Sequence, residues 1–485
     1  MFGTYTALFD RFGTRLFAGV SRSSIFGIGM FLVGASLPAQ SGEEASSATP
    51  PNIVFILADD MGINTPGIYG GKVIETPNID RLAKDGMRFT QAYSSSSLCA
   101  PARASLLTGL HSGHTSVRGN TGGIALKDAD ITFAEVLKAR GYTIAGFGKW
   151  GVGDLGTEGV PERQGFDRFF GYYHQIHAHF FYPDYLIDTG RRIALDQAAN
   201  KQYAPDVTLA AMKDFIRDNK DRPFVVFGSW TLPHTNDDDE PVIPEADPAL
   251  LAYAAVDLPE DARRFAAMNT RLDSDIGEIV NLLEDLEIGD NTVVVFASDN
   301  GPGTTFEPYF DTNGSYRGNK RSFYEGGIRV PLIVKWPGRV DPGSVSDLQV
   351  YFPDLMPTFA DLASAQEHVP EGIDGISFVP TLVGDANQPK HDFLYWEVPD
   401  YDWSKNIYRE DGLHQAIRQG DWKMLRHGQT EKWELFNLAT DPWETTDVAS
   451  EFPDIVAKLE ALIDASHDPM PEQIEPEMPE GQWFR

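Results

Sequence analysis

Cys99 is the only cysteine among 485 residues, so its side chain has no disulfide partner within the chain and serves packing or chemistry. As packing it would be a small buried hydrophobe, the usual fate of a free thiol. Its neighbours favour chemistry. In Ser97-Leu98-Cys99-Ala100-Pro101-Ala102-Arg103, continued by Ala104-Ser105-Leu106-Leu107-Thr108-Gly109, Pro101 suits the first position of a helix that Gly109 stops. Cys99 is then expected just before a helix N-terminus, where exposed N–H groups and the dipole attract anions. Arg103, about one turn on, brings a fork-shaped cation to the same spot.

Two other stretches carry oxygen ligands. Asn52-Ile53-Val54-Phe55-Ile56-Leu57-Ala58 is a continuous apolar run, read as a strand buried on both faces, and it ends at Asp59-Asp60-Met61-Gly62. Thr292-Val293-Val294-Val295-Phe296-Ala297-Ser298 repeats the design and ends at Asp299-Asn300-Gly301. Open α/β sheets place their sites at the carboxyl ends of such strands. Asp59, Asp60, Asp299 and Asn300 would make an all-oxygen set suited to calcium or magnesium. The competing reading of a lone Asp-Asp is a solvated turn. His174-Gln175-Ile176-His177-Ala178-His179 holds three of the eleven histidines. It reads either as an aromatic-rich surface loop or as a source of contacts from His177 or His179 to a leaving oxygen or nucleophile. Zinc is disfavoured, because nothing nearby supplies a fourth ligand at the usual spacing. His111 and His114 read as loop histidines that cap helix-end carbonyls, with a functional role as the alternative.

The elements that must position these groups alternate between strand and helix. A helix starts at Pro77 and ends at Gly86; an amphipathic helix spans 132–140, and the strand after it, 142–147, delivers Lys149. A buried strand, 223–229, leads to Trp230-Thr231-Leu232-Pro233-His234, and a long helix with apolar residues at helical spacing fills 264–286. A further helix opens at Asp354. From about Asp392 the texture changes to Tyr395-Trp396-Glu397, a hairpin over 415–425 turning at Gly420-Asp421, a strand over 433–437 and a helix over 453–465. These predict an α/β protein with a large central mixed sheet flanked by helices. The divisions expected are a signal peptide over 1–40, a disordered linker over 41–51, a catalytic domain over 52–390, a C-terminal subdomain over 391–468 and a tail over 469–485.

The signal peptide rests on Arg11, Arg15 and Arg22 ahead of an apolar run from Ile25 to Val33, then small residues and a cut near Ala39-Gln40. That run is too short to span a bilayer, which points to export into the periplasm or beyond the cell without a membrane anchor. A formal charge of -31 argues against nucleic acid as a partner.

The Cys99 stretch resembles the maturation signature of the type I sulfatases, Cys-x-Pro-x-Arg with an Ala-Ser-Leu-Leu-Thr-Gly tail. The resemblance covers roughly residues 50–450. It implies the alkaline phosphatase superfold and a small C-terminal antiparallel-sheet subdomain with one helix. It implies that a separate formylglycine-generating or anaerobic maturation enzyme oxidises Cys99 to formylglycine, whose hydrated aldehyde is the nucleophile. It places the metal, calcium or else magnesium, on Asp59, Asp60, Asp299 and Asn300 with the modified Cys99. Gly148-Lys149-Trp150-Gly151-Val152-Gly153 is similar to the family's Gly-Lys-Trp-His-Leu-Gly, which makes Lys149 a sulfate ligand. Gly151 stands where the family has the histidine that bonds the nucleophile. Pro233-His234 resembles the sulfate-binding Pro-His pair. Arg317-Gly318-Asn319-Lys320 and Glu325-Gly326-Gly327-Ile328-Arg329-Val330-Pro331 resemble two further family segments, with Lys320 on the sulfate and Glu325 and Arg329 structural.

The implied reaction is hydrolysis of a sulfate monoester, carbohydrate sulfates being favoured by export and by aromatics such as Phe180, Phe181, Tyr182, Trp396 and Trp403 as rim candidates. Arg103, Lys149 and Lys320 would offset the protein's negative field around the sulfate. Two alternatives stay open from the residues: a phosphoester or phosphonate monoester hydrolase of the same superfold, and a noncatalytic sulfated-glycan-binding protein in which Gly151 marks lost activity.

Overall fold

The computed structural model describes residues 50–120, 125–199, 201–402, 407–428 and 431–470. The signal expected over 1–40, most of the linker, Trp403 and the tail beyond residue 470 lie outside the described residues.

Ten strands form the main sheet: β1 (Asn52–Ala58), β2 (Met87–Tyr93), β3 (Thr143–Lys149), β4 (Arg168–Tyr172), β5 (Tyr185–Asp188), β6 (Arg191–Ala194), β7 (Phe224–Ser229), β8 (Thr292–Ser298), β9 (Leu332–Lys335) and β10 (Ser344–Tyr351). Their order is β10-β2-β9-β8-β1-β7-β3-β4-β5-β6. The central five, β8-β1-β7-β3-β4, run parallel. Antiparallel partners at β9 and at β5-β6 make the sheet mixed.

β1 shows why a continuous apolar run was needed. Ile53, Phe55 and Leu57 belong to the core on one face, while Val54, Ile56 and Ala58 belong to the core on the other. The first face is covered by the helices Cys99–Thr108, Phe133–Lys138 and Leu355–Leu362. The second is covered by Pro77–Lys84, Ala204–Asn219 and Glu260–Asp285. The last begins at Glu260, ahead of the expected start, because Glu260 and Asp261 in its first turn suit the positive end of the dipole.

A separate antiparallel sheet follows, β11 (Leu394–Asp402), β12 (Ile407–Gln419), β13 (Trp422–Arg426) and β14 (Glu434–Asn437), in chain order. Trp396, Ala416, Leu425 and Phe436 on one face pack with Tyr93 and Tyr351 of the large sheet. Tyr395, Ile417, Met424 and Leu435 on the other face take the helix Pro453–Ala465. Trp396 is fully buried, and its indole N–H donates to the Ser94 carbonyl at 2.7 Å. Phe181 is also buried, so neither is a rim residue; Phe180 and Tyr182 are exposed.

Candidate active site

The parallel register places the chemistry at one point. Ala58 lies beside Ser298 and Leu57 beside Ser229, while Gly148 lies on the far side of Ser229. Asp59, Asp299 and Lys149 therefore emerge together at the carboxyl ends of β1, β8 and β3. After Asp59 the chain turns sharply, with Asp60 in the left-handed region at φ 65°. The Asp60 N–H donates to Asp299 Oδ1 at 3.1 Å and the Met61 N–H to Ser298 Oγ at 2.8 Å, which lock the turn. A carboxylate oxygen from each of Asp59, Asp60 and Asp299 and the sulfur of Cys99 lie within 4.8 Å of one another.

Cys99 is the first residue of its helix, not the residue before it, and Pro101 is the third. Pro is tolerated there because first-turn N–H groups have no intrahelical acceptor to lose. Leu98 is the extended N-cap, and the Ala100 N–H is taken by Asn120 Oδ1 at 2.8 Å. Gly109 ends the helix as expected, at φ 73°. Cys99 Sγ lies 3.5 Å from Asp59 Oδ1 and 3.9 Å from Asp60 Oδ1. Burial raises its pKa to about 12 despite Lys149 and Lys320, so the unmodified thiol is protonated and a poor nucleophile near neutral pH.

Three cations face three carboxylates. Lys149 Nζ is 2.7 Å from Asp59 Oδ2, and Lys320 Nζ is 2.7 Å from Asp60 Oδ2. Arg103 reaches Asp299 Oδ2 through Nε at 3.1 Å and Nη2 at 2.8 Å. Its Nη1 donates to the Lys149 carbonyl at 2.8 Å and to Ser229 Oγ. Burial alone would raise Asp59, but Lys149, His234, Arg103 and Lys320 hold it well below the usual carboxylate range. Asp60 is lowered as well, burial being outweighed by Lys320 and His234. For Asp299, burial and the Asp59 charge win over Arg103 and raise it to about 7. Asn300 Nδ2 donates to Asp60 Oδ1 at 2.6 Å and to the Gly301 carbonyl at 2.8 Å, leaving its Oδ1 buried without a hydrogen-bond partner.

His234 joins this group through Lys320. Its Nδ1 lies 2.5 Å from the Thr235 carbonyl, a bond that requires the proton on Nδ1. Nε2 is therefore an acceptor, 3.1 Å from Lys320 Nζ. Burial and Lys320 push its pKa down to about 3, so it is a neutral acceptor here. His179 stacks on it at 4.3 Å between centroids and holds Asp237 through Nδ1. His177 is not brought in. Its ring packs at 5.0 Å from Tyr172 and 4.6 Å from Tyr185, away from the cleft. His111 and His114 stack on each other beside Asp374, also outside the cleft, with His114 Nδ1 3.0 Å from the carboxylate.

The site opens into a cleft of ≈ 470 Å³ lined by Asp60, Lys320, His179 and His234, the acidic loop residues Asn236, Asp237 and Asp239, and the stacked Phe265 and Phe306. Sequence reasoning assigned no role to four groups here: Asn120, which caps the Cys99 helix; Ser229, which bridges Arg103 and the Lys149 carbonyl; Arg321, on the cleft wall; and Gln175. Gln175 lies within the histidine stretch, where its neighbours drew the reading, and the other three belong to no stretch whose spacing marks them out.

A doubly covered mixed sheet with a carboxylate-rich centre at its strand ends is the architecture of alkaline phosphatase-like hydrolases. Within that class the sulfatase family model matches residues 51–365, and an N-sulphoglucosamine sulphohydrolase C-terminal model matches residues 314–468. The chain belongs to the sulfatase family, and it is an enzyme of sulfate ester hydrolysis. It is 34% identical to arylsulfatase A of Homo sapiens over 86% of this chain and 87% of that protein. It is 27% identical to an N-acetylgalactosamine-6-O-sulfatase of Bacteroides thetaiotaomicron over 87% of this chain and 94% of that protein. The crystal structure of Ps i-CgsB in complex with k-i-k-neocarrahexaose superimposes with a TM-score of 0.74 at 27% identity, covering 88% of this chain and 96% of that one. Among the described residues no helix is long and apolar enough to cross a membrane.

Proposed function

We propose that this sulfatase removes sulfate from carbohydrate esters outside the cytoplasm, with Cys99 converted to formylglycine by a maturation enzyme and one divalent cation at its centre. The observation that carries the reading is the convergence of Asp59, Asp60, Asp299 and Asn300 on Cys99, with Arg103, Lys149 and Lys320 balancing their charge. The donor set fits a hard cation such as calcium, with magnesium the second choice: three carboxylates, and an Asn300 Oδ1 that is buried and unpartnered. When bound, the cation supplies Lewis acidity and formylglycine supplies a hydrated aldehyde as nucleophile.

The residues of the chain supply the rest. Lys320, on the cleft wall, and Lys149, beneath it, offer positive charge to the sulfate oxygens in a protein whose net charge repels anions. Arg103 is fully engaged with Asp299, the Lys149 carbonyl and Ser229, so its work is to hold the floor rigid. His234, with Nε2 unprotonated, is placed to hold the Lys320 ammonium or to receive a proton. His179 stacks on His234 and fixes its plane.

The cleft suits a sugar. Asn120, Asn236, Thr304 and Thr305 offer neutral hydrogen bonds to hydroxyls, and Phe265 offers an apolar face. Relatives named for N-acetylgalactosamine-6-sulfate, and a neighbour solved with an oligosaccharide, support the same substrate class. The test is a mass spectrum of the Cys99 peptide from natively produced protein, combined with parallel assays on a sulfated hexosamine, nitrophenyl sulfate and nitrophenyl phosphate. Aldehyde at position 99 with sulfate turnover exceeding phosphate turnover is expected. Full activity with an unmodified thiol would overturn the formylglycine assignment. Dominant phosphate turnover would overturn the substrate.

A further inference from the structure

Gly151 lies just past β3, at φ 81°, and the space beside it is not empty. A Cβ built on Gly151 would sit 2.3 Å from Gln175 Oε1 and 3.6 Å from Arg103 Cδ. The Gln175 amide thus fills the volume that a side chain at 151 would need, against the shaft of Arg103, one turn along the helix from Cys99. The two segments are laced together: the Trp150 N–H donates to the Tyr172 carbonyl at 2.9 Å and the Gly151 N–H to the Tyr173 carbonyl at 3.0 Å. Gln175 is only 8% exposed, yet it lines the cleft, and its Oε1 is buried with no hydrogen-bond partner among the described residues. A buried acceptor left unpaired costs free energy that an apolar residue of the same shape would avoid.

We propose that Gln175 is a positioning residue of the reaction, an uncharged acceptor for a hydroxyl donor of the reacting complex. The proposal rests on the sulfate ester reading. The missing partner must be a donor, and a sulfate group brings only acceptors. Arg103, whose Cδ borders the same space, is already spent on Asp299, Ser229 and the Lys149 carbonyl. Within the reacting complex, O–H donors come from the sugar and from the nucleophilic group at position 99. An amide cannot take the proton; it can only hold the hydroxyl in line.

The experiment is steady-state kinetics of wild type, Gln175→Leu, Gly151→Ala and the double variant on nitrophenyl sulfate, whose aryl group has no hydroxyl, and on a sulfated hexosamine, with Tm for each. Leu keeps the shape and removes the acceptor, so a mere filler would leave kcat/KM unchanged. The expected result is a loss of about tenfold or more in kcat/KM with no fall in Tm. Loss on both substrates places the donor at position 99; loss on the hexosamine alone places it on the sugar. Gly151→Ala should reproduce the defect by displacing the amide, and the double variant should be no worse than Gly151→Ala. Activity of Gln175→Leu within about threefold of wild type on both substrates, or additive losses in the double variant, would overturn the assignment. A matured wild type inert on both esters would overturn the proposed substrate class, and this assignment with it.

Discussion

Two buried clusters of opposite charges lie in this molecule, and only one looks outward. The first is the centre at the strand ends. The second joins the two sheets: Lys423 on β13 lies 2.8 Å from Glu325 and 2.9 Å from Glu444, and Glu325 also receives Arg329 at 3.0 Å and the Tyr93 hydroxyl at 2.7 Å. Arg418 of β12 donates to the same Tyr93 hydroxyl. Glu325, Lys423 and Glu444 are completely buried, and none lines the cleft. The ingredients of the two clusters are alike, and burial alone does not separate them. What separates them is that members of the first, Asp60, Lys320 and His234, line a cleft, and no member of the second does. The second spends its charges across an internal boundary. A buried ion pair is a clamp when its partners are protein on every side, and a site when some of its oxygens wait for a ligand.

That distinction breaks down if the two clusters respond alike to substitution. The largest effect expected is at Cys99. Cys99→Ala should drop turnover by about a thousandfold or more while Tm stays within about 2 °C, since one sulfur atom is lost from a helix that is otherwise intact. Paired kinetics and thermal melts check it. Lys423→Met should do the opposite. It leaves Glu325 and Glu444 buried without their shared cation, at about 3–5 kcal/mol by urea unfolding, with kcat per folded molecule nearly unchanged. Adding Glu325→Gln and Glu444→Gln should recover part of that loss. The cation sharpens the contrast further. Calcium at about a hundred times its Kd should raise the stability of chelator-treated protein by about 2.7 kcal/mol. Asn300→Ala should reduce that increment, and Lys423→Met should leave it intact.

Much of this was open to reading because the chemistry sits on strands. β1 and β8 are buried on both faces, so each is a continuous apolar run, and the acids that end the runs stand out against them. The helix over Pro453–Ala465 was read to the residue, since Pro453 opens it. Loops carried less. His177 and His179 lie two positions apart in one 3-10 turn, so they leave it in different directions and only one reaches the cleft. Sequence gives their identity, not that direction. Aromatic type gave size but not side, which is why Trp396 and Phe181 read as rim residues. β6 is a polar, exposed edge strand, with Arg191 and Arg192, and its partner β5 offers only a short apolar pair, Leu186 and Ile187, to announce the hairpin. Gln175 was hidden by its neighbours. Its place follows from the side chain that Gly151 lacks, a relation between residues in the loops after β3 and β4.

The smallest effect tests whether the inter-sheet cluster is a clamp with a protonic weakness. Burial, with Glu325 nearby and only partly opposed by Lys423, raises Glu444 from 4.5 to about 7. Its folded form therefore binds a proton more tightly than the unfolded chain does. The stability it contributes is complete below about pH 4.5 and is lost as pH rises through about 7. Glu325 runs the other way. Burial would raise it, but Lys423, Arg329 and Arg418 hold it at about 2, so its contribution is present above about pH 4.5 and is lost as pH falls toward 2. Two carboxylates on one lysine thus divide the work, one ionised and one holding a proton. Glu444→Gln removes the titration and keeps the neutral shape. With calcium saturating to hold the catalytic centre constant, the variant's Tm should depend less on pH between 5 and 8 than wild type does. A parallel pair of curves would mean that Glu444 is ionised throughout and that Lys423 neutralises both acids.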